Sequence, residues 1–196
     1  MKLYWFWSTN PQKVRWALEE LELSYDLVEV DLVKRENKQD WFRAISPRCV
    51  VPALELDDVV LWESDAILTY LGENFGSLWP SEPQGKAKAF RLMFLEAAAF
   101  QDPASTHFFN RVVLPSIGKE GDSERVAKAA KKLRPILSVL VEELGDQDYI
   151  LGDFSLVDCA FGPWLSSIDL DDFPTLAAWR DRLRSRPAFL RCDFRY

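Results

Sequence analysis

Histidine is almost absent from this chain: His107 stands alone among 196 residues. A triad that needs an imidazole base, or a zinc centre built on several imidazoles, has little to be made from. Cysteine is scarce too. Cys49, Cys159 and Cys192 are odd in number, widely spaced and contain no CxxC pair, which argues against a disulfide framework and a thiolate metal site. No metal ligands are expected. No apolar run approaches the ~20 residues of a membrane-spanning helix, and the first residues lack the regions of a secretory leader. A cytoplasmic protein with no membrane partner is the expectation. Positive charge is also short: 24 Lys and Arg face 31 Asp and Glu, a net charge of −7, so the basic footprint of a nucleic-acid partner is missing.

What remains is an ordinary soluble composition, long enough for one large domain or two small ones. The charge is uneven. Residues 1–80 carry 8 basic against 14 acidic side chains, and the remainder carries 16 against 17, which hints at two modules. Residues 2–6 read as a short buried strand, and residues 12–23 as a helix with Val14, Ala17, Leu18 and Leu21 on one face and Lys13 away from it. Asn10 before Pro11 fits a helix cap followed by proline at the first helical position. A second strand is expected over 25–32, a short helical piece over 41–44, and two further strands around an Asp57-Asp58 turn. A helix over 64–74 then closes at Gly76. This order predicts a mixed four-stranded sheet with helices on both faces. After the Pro/Ser-rich break at 79–83 the strand signal vanishes. Helices are expected over 84–109 (with a kink or an end near Asp102, before Pro103), 123–144 capped by Ser123, 155–168 and 174–185. The domains are therefore expected at 1–78 and 84–196.

The stretch from Val51-Pro52 to Ile67 carries the most chemistry. Pro52 opens a strand, a place where proline is tolerated. Glu63 and Ser64 open a helix, whose free N–H groups are a seat for a carboxylate. A ligand held by its backbone and its carboxylate fits this pattern. Further on, Ser155-Leu156-Val157-Asp158 reads as a capping box.

Four features, in this order and spacing, resemble the cytosolic glutathione S-transferase family over nearly the whole chain. They are the Ser/Thr/Asn loop before Lys13-Val14-Arg15-Trp16-Ala17-Leu18-Glu19-Glu20, the Ser46-Pro47 to Val51-Pro52 segment, Glu63-Ser64-Asp65-Ala66-Ile67, and the Ser155/Asp158 cap. The resemblance implies an α/β thioredoxin-like N-terminal domain, an all-helical C-terminal domain and a homodimer. It implies glutathione as co-substrate with no other cofactor, and a small apolar electrophile as its partner in conjugation or a peroxide in reduction. A non-catalytic binding protein and a glutathione-dependent disulfide reductase are the alternatives.

By the same likeness Pro52 is cis and Val51 pairs with the cysteinyl backbone. Ser64 holds the γ-glutamyl carboxylate and Glu63 its ammonium. Asn37 and Lys38 are the candidates for the glycine carboxylate, since the family's Lys or Gln two residues before the proline is Val50 here. The thiol's activator falls in Ser8-Thr9-Asn10, in the order Ser8, Asn10, Thr9. Without a cysteine in that loop, a mixed disulfide on the enzyme there is disfavoured. The electrophile wall is expected from Phe6, Trp7, Ala98, Gln101, Asp102, Ser105, Phe108, Phe109 and Trp164, while His107 reads as a surface or seam residue.

Overall fold

The computed structural model describes residues 1–192 and 194; the remaining positions of the expected helical domain lie outside them. Strands β1 (Lys2–Trp5), β2 (Asp26–Glu29), β3 (Ala53–Glu55) and β4 (Val60–Trp62) form one sheet in the order β2-β1-β3-β4. β1 runs parallel to β2 and antiparallel to β3, and β3 is antiparallel to β4. Alternation along β1 splits the core. Leu3 joins Val14, Leu54, Ile67 and Leu68, whereas Tyr4 faces a smaller cluster of Val30, Phe42, Val51 and Ala53. The first cluster covers α1 (Thr9–Glu20) and α3 (Ser64–Asn74), and the second covers α2 (Asp40–Ile45).

Helix α1 starts and stops earlier than its pattern suggests. Ser8, not Asn10, is the cap, so Asn10 and Pro11 lie in the first turn, where unpaired N–H groups make proline harmless. The stop is a Schellman arrangement. Leu23 N–H reaches Leu18 C=O at 3.0 Å, and Glu22 takes a left-handed φ of 53° where glycine is usual.

The second domain begins with α4 (Pro83–Leu95), α5 (Gln101–Phe108) and α6 (Leu114–Ser116), one helical path joined through two wide turns. At these turns Gln101 N–H bonds Glu96 C=O and Leu114 N–H bonds Phe109 C=O. No helix end falls at Asp102. Each wide turn comes shortly before a proline, Pro103 or Pro115, and eases the clash of its ring with the preceding turn. Helix α7 (Ser123–Leu144) is capped by Asp122, whose carboxylate accepts Arg125 N–H at 3.0 Å, and not by Ser123. Helices α8 (Leu156–Leu165), α9 (Pro174–Arg184) and α10 (Pro187–Arg191) complete the domain. No helix of the described residues is long and apolar enough to cross a membrane.

The two domains are locked together. All of α8 is buried, and at Gly162 an added Cβ would sit 2.7 Å from the Trp16 ring, so α1 and α8 meet backbone to ring. Arg186 grips Glu20 through two bonds of 2.6 and 2.7 Å and stacks 3.6 Å from the Phe154 ring centre. The 79–83 break is not loose either. Trp79 is buried, and its indole donates to Glu73 at 2.9 Å.

Candidate functional site

A cavity of about 420 Å³ opens between the head of α1 and the middle of the long helical path. The sequence candidates Phe6, Trp7, Ser8, Thr9, Asn10 and Val51 meet there with Ser105, Phe108, Phe109 and Trp164. Trp7 and Trp164 lie against Phe108, with ring centres 6.0 and 6.2 Å away. The cavity is thus aromatic on one side and polar at the α1 head. Leu32, Val33 and Val113 also line it. Val33 is 84% exposed and sits in the loop after β2, where nothing in its local pattern marks it.

The three loop candidates differ in what their side chains do. Ser8 has extended backbone (φ −162°, ψ 162°), and its hydroxyl makes no cap bond. The Thr9 hydroxyl and the Asn10 Oδ1 are sealed from solvent and have no partner among the described residues. Only Ser8 offers an open hydroxyl. Tyr4, further back on β1, donates to Glu55 at 2.6 Å, and burial together with that carboxylate pushes its pKa up to about 12. It lies away from this cavity.

Val51 adjoins it. The Val51–Pro52 bond is cis, and among the described residues the Val51 N–H and C=O take part in no hydrogen bond. Asn37 donates to the Cys49 carbonyl at 2.7 Å, so it braces the approach to Val51, while Lys38 is exposed nearby on the same turn. Cys49 itself is buried.

A second concavity of about 640 Å³ runs along α3 and α4 and holds Glu63, Ser64 and Asp65 at one end. Glu63 caps α3 with a positive φ of 72°, a conformation that costs roughly 1–3 kcal/mol and gathers at functional sites. Its carboxylate pairs with Arg48, which the motif reading missed because the two are separated by a turn and two strands. The first intrahelical bond here is Ile67 N–H to Glu63 C=O at 3.0 Å, which leaves the N–H groups of the opening turn for a ligand. Gln101 lies in this groove and not in the aromatic cavity. Asp102 reaches neither; it is exposed and pairs with Lys132 at 3.7 Å.

Behind Ser64 lies a buried ionic cluster. Lys13, expected away from the apolar face of α1, is 0% exposed and bonds Asp65 at 3.3 Å and Glu96 at 2.7 Å. Glu96 also accepts the Trp164 indole N–H at 2.7 Å, tying α1 and α3 to the aromatic wall. Burial works against the charge of Lys13, yet Asp65 and Glu96 raise its pKa. Burial raises Glu96 to about 8, with Lys13 opposing and Asp65 adding. Asp65 Oδ2 and Glu96 Oε2 are sealed from solvent and accept no N–H or O–H among the described residues. The cluster neutralises Asp65, which would otherwise repel an anion at Ser64.

Comparison with known proteins agrees with this layout. The glutathione S-transferase N-terminal domain matches residues 7–74 and the C-terminal domain residues 100–187. Glutathione S-transferase 3 of Zea mays is 33% identical over 194 residues, covering 93% of this chain and 87% of that protein. The disulfide-bond oxidoreductase YfcG of Escherichia coli is 31% identical over 202 residues, covering 95% and 91%. The theta class glutathione S-transferase of Xanthomonas axonopodis pv. citri, solved with glutathione bound, superposes with a TM-score of 0.89 at 30% identity, covering 100% of this chain and 97% of that one. With a thioredoxin-like sheet, a helical second domain and both family domains matched, this chain belongs to the glutathione S-transferase family.

Proposed function

We propose that this chain is a glutathione transferase in which Ser8 activates the thiol. The observation that carries this is the free Ser8 hydroxyl at the head of α1, in the same cavity as Val51 with its unbonded backbone. A cysteinyl thiol near pKa 8.5 is mostly protonated at neutral pH. An O–H donor to sulfur and the positive end of a twelve-residue helix both favour the thiolate. The tripeptide pairs with Val51 as an added strand would. Ser64 and the α3 opening turn take its γ-glutamyl carboxylate, and Glu63 and Gln101 face its ammonium. Lys38 takes the glycine carboxylate beside the Asn37 brace. The thiolate then attacks an apolar, planar electrophile held by Trp7, Phe108 and Trp164, forming a C–S bond as the leaving group departs or a carbanion is protonated. No cofactor beyond glutathione is required.

Disulfide reduction is the second reading. It rests on Asn10, placed in the same cavity, and on the likeness to the Escherichia coli oxidoreductase. Ser8→Ala and Asn10→Ala, each assayed for conjugation and for disulfide reduction, separate the two. Conjugation that survives Ser8→Ala unchanged refutes the first reading. Retention on glutathione-agarose without turnover in either assay identifies a binding protein.

The same reading makes the protein a cytoplasmic homodimer engaged in detoxification. Its second copy covers the α3–α4 groove, where Phe94 is 71% exposed and Phe90 36%. Apolar surface of that kind is retained on a soluble protein for a partner. Phe94→Glu is expected to give a monomer by sedimentation; an unchanged mass places the interface elsewhere.

A further inference from the structure

Helix α5 is the wall of two cavities. Ser105 and Phe108 face the aromatic one, and His107 faces another of about 560 Å³, bounded by α7 and the loop between α8 and α9. Its inner surface is apolar, formed by Leu133, Leu137, Ile168 and Phe173, and its volume suits a small organic molecule. Among the described residues that line the cavity, His107 is the buried polar one, while Lys131, Arg134, Asp169, Asp171 and Asp172 are exposed at its rim. His107 is 4% exposed, and its Nδ1 is sealed with no partner among the described residues. A buried N–H without an acceptor is costlier than a bare ring nitrogen, so the proton belongs on Nε2, at the ring edge left to the cavity. We infer that this cavity is a second ligand site, for a neutral, mostly apolar molecule that buries one acceptor oxygen against His107 Nε2–H.

The alternatives fit worse. A carboxylate meets Asp169, Asp171 and Asp172 at the rim against Lys131 and Arg134, and Arg134 is already held by Asp172 at 2.6 Å and laid over Phe173. Nor does it meet an imidazolium, because burial and Arg111 lower the His107 pKa while Asp169 opposes them. An ammonium finds no acceptor at the buried end. A metal ion lacks ligands, since no cluster of three His, Cys, Asp or Glu exists among the described residues. A carbonyl or ether oxygen on an aromatic body satisfies the donor and fills the floor.

The inference does not rest on the glutathione reading, and the chain's single histidine makes it directly readable. In an ¹⁵N-labelled sample the imidazole spectrum contains one spin system, expected in the neutral Nε2–H form. Acetophenone is the probe, and ethylbenzene, which has no oxygen, is the control. Acetophenone is expected to shift the Nε2–H signal saturably, and ethylbenzene much less. Ala130→Trp, on the exposed face of α7 at the cavity mouth, is expected to abolish the shift with no change in circular dichroism. A neutral Nδ1–H form, no saturable shift, an equal response to ethylbenzene, or a shift that persists in Ala130→Trp overturns it.

Discussion

Ser8 at the head of α1 and Ser155 at the head of α8 occupy the same place in a helix and share a backbone, φ −162°, ψ 162° against φ −142°, ψ 169°. Their surroundings are opposite. The Ser155 N–H and hydroxyl both donate to Asp158 Oδ2 at 2.8 Å, and Oδ1 accepts from Ile150 N–H and the Trp179 indole. Burial lifts Asp158 to about 6, opposed by these bonds, so the carboxylate is ionised at neutral pH and fully used. Ser8 makes no such bond and faces a cavity. A helix start completed from within holds the fold; one left open is available to a ligand, at a cost of about 1 kcal/mol of unused capping. The head of α3 belongs with Ser8, since Glu63 makes no cap bond there.

Substitutions at the two kinds of start should fail in different assays. Ser8→Ala is expected to lower kcat for conjugation by about 10²-fold, the scale for losing one donor to a developing anion, with an unchanged melting temperature; a loss of stability instead would make Ser8 a structural cap. Ser64→Ala is expected to weaken glutathione binding about tenfold, the ~1.4 kcal/mol of a modest charged hydrogen bond, as measured by titration calorimetry. Ser155→Ala should do the reverse. It is expected to cost about 1 kcal/mol of stability in urea unfolding and to leave the kinetic constants of the folded enzyme alone.

The finest test concerns the cluster behind Ser64. The folded pKa of Glu96 lies above its ordinary 4.5, at about 8. Its contribution to stability is therefore complete below 4.5 and lost as pH rises through 8. Glu96→Gln should flatten the decline in that window, which for one proton is at most about 1.4 kcal/mol per pH unit. An unaltered slope would show that Glu96 is ionised throughout.

Much of this organisation is legible from local pattern. The succession of strands and helices along the chain, the mixed four-stranded sheet, the Ser155 cap and the grouping of Phe6, Trp7, Ser8, Ser105, Phe108 and Trp164 follow from periodicity, caps and a family likeness. Other features depend on distant groups. The burial of Lys13 is hidden because its partners, Asp65 and Glu96, lie 52 and 83 positions away. Asn10 before Pro11 reads as a cap because that pair suits a first turn equally well. The family likeness places Gln101 and Asp102 in the aromatic wall, but the wide turn beginning at Glu96 alters which way the helix presents them.

That wide turn matters beyond Gln101. One residue added to a helix rotates everything after it by about 100° relative to what came before. The long path from Pro83 to Ser116 contains two such turns, so the faces of its three segments are out of phase with one another. The aromatic wall on α5 and the apolar groove on α4 are set by this phasing as much as by side-chain identity. Deleting one alanine from Glu96–Phe100 would turn Ser105, His107 and Phe108 together, exchanging which of them each cavity sees while leaving the composition of the helix almost unchanged. In this fold, insertion and deletion within a helix are a route to a new specificity that no single substitution supplies.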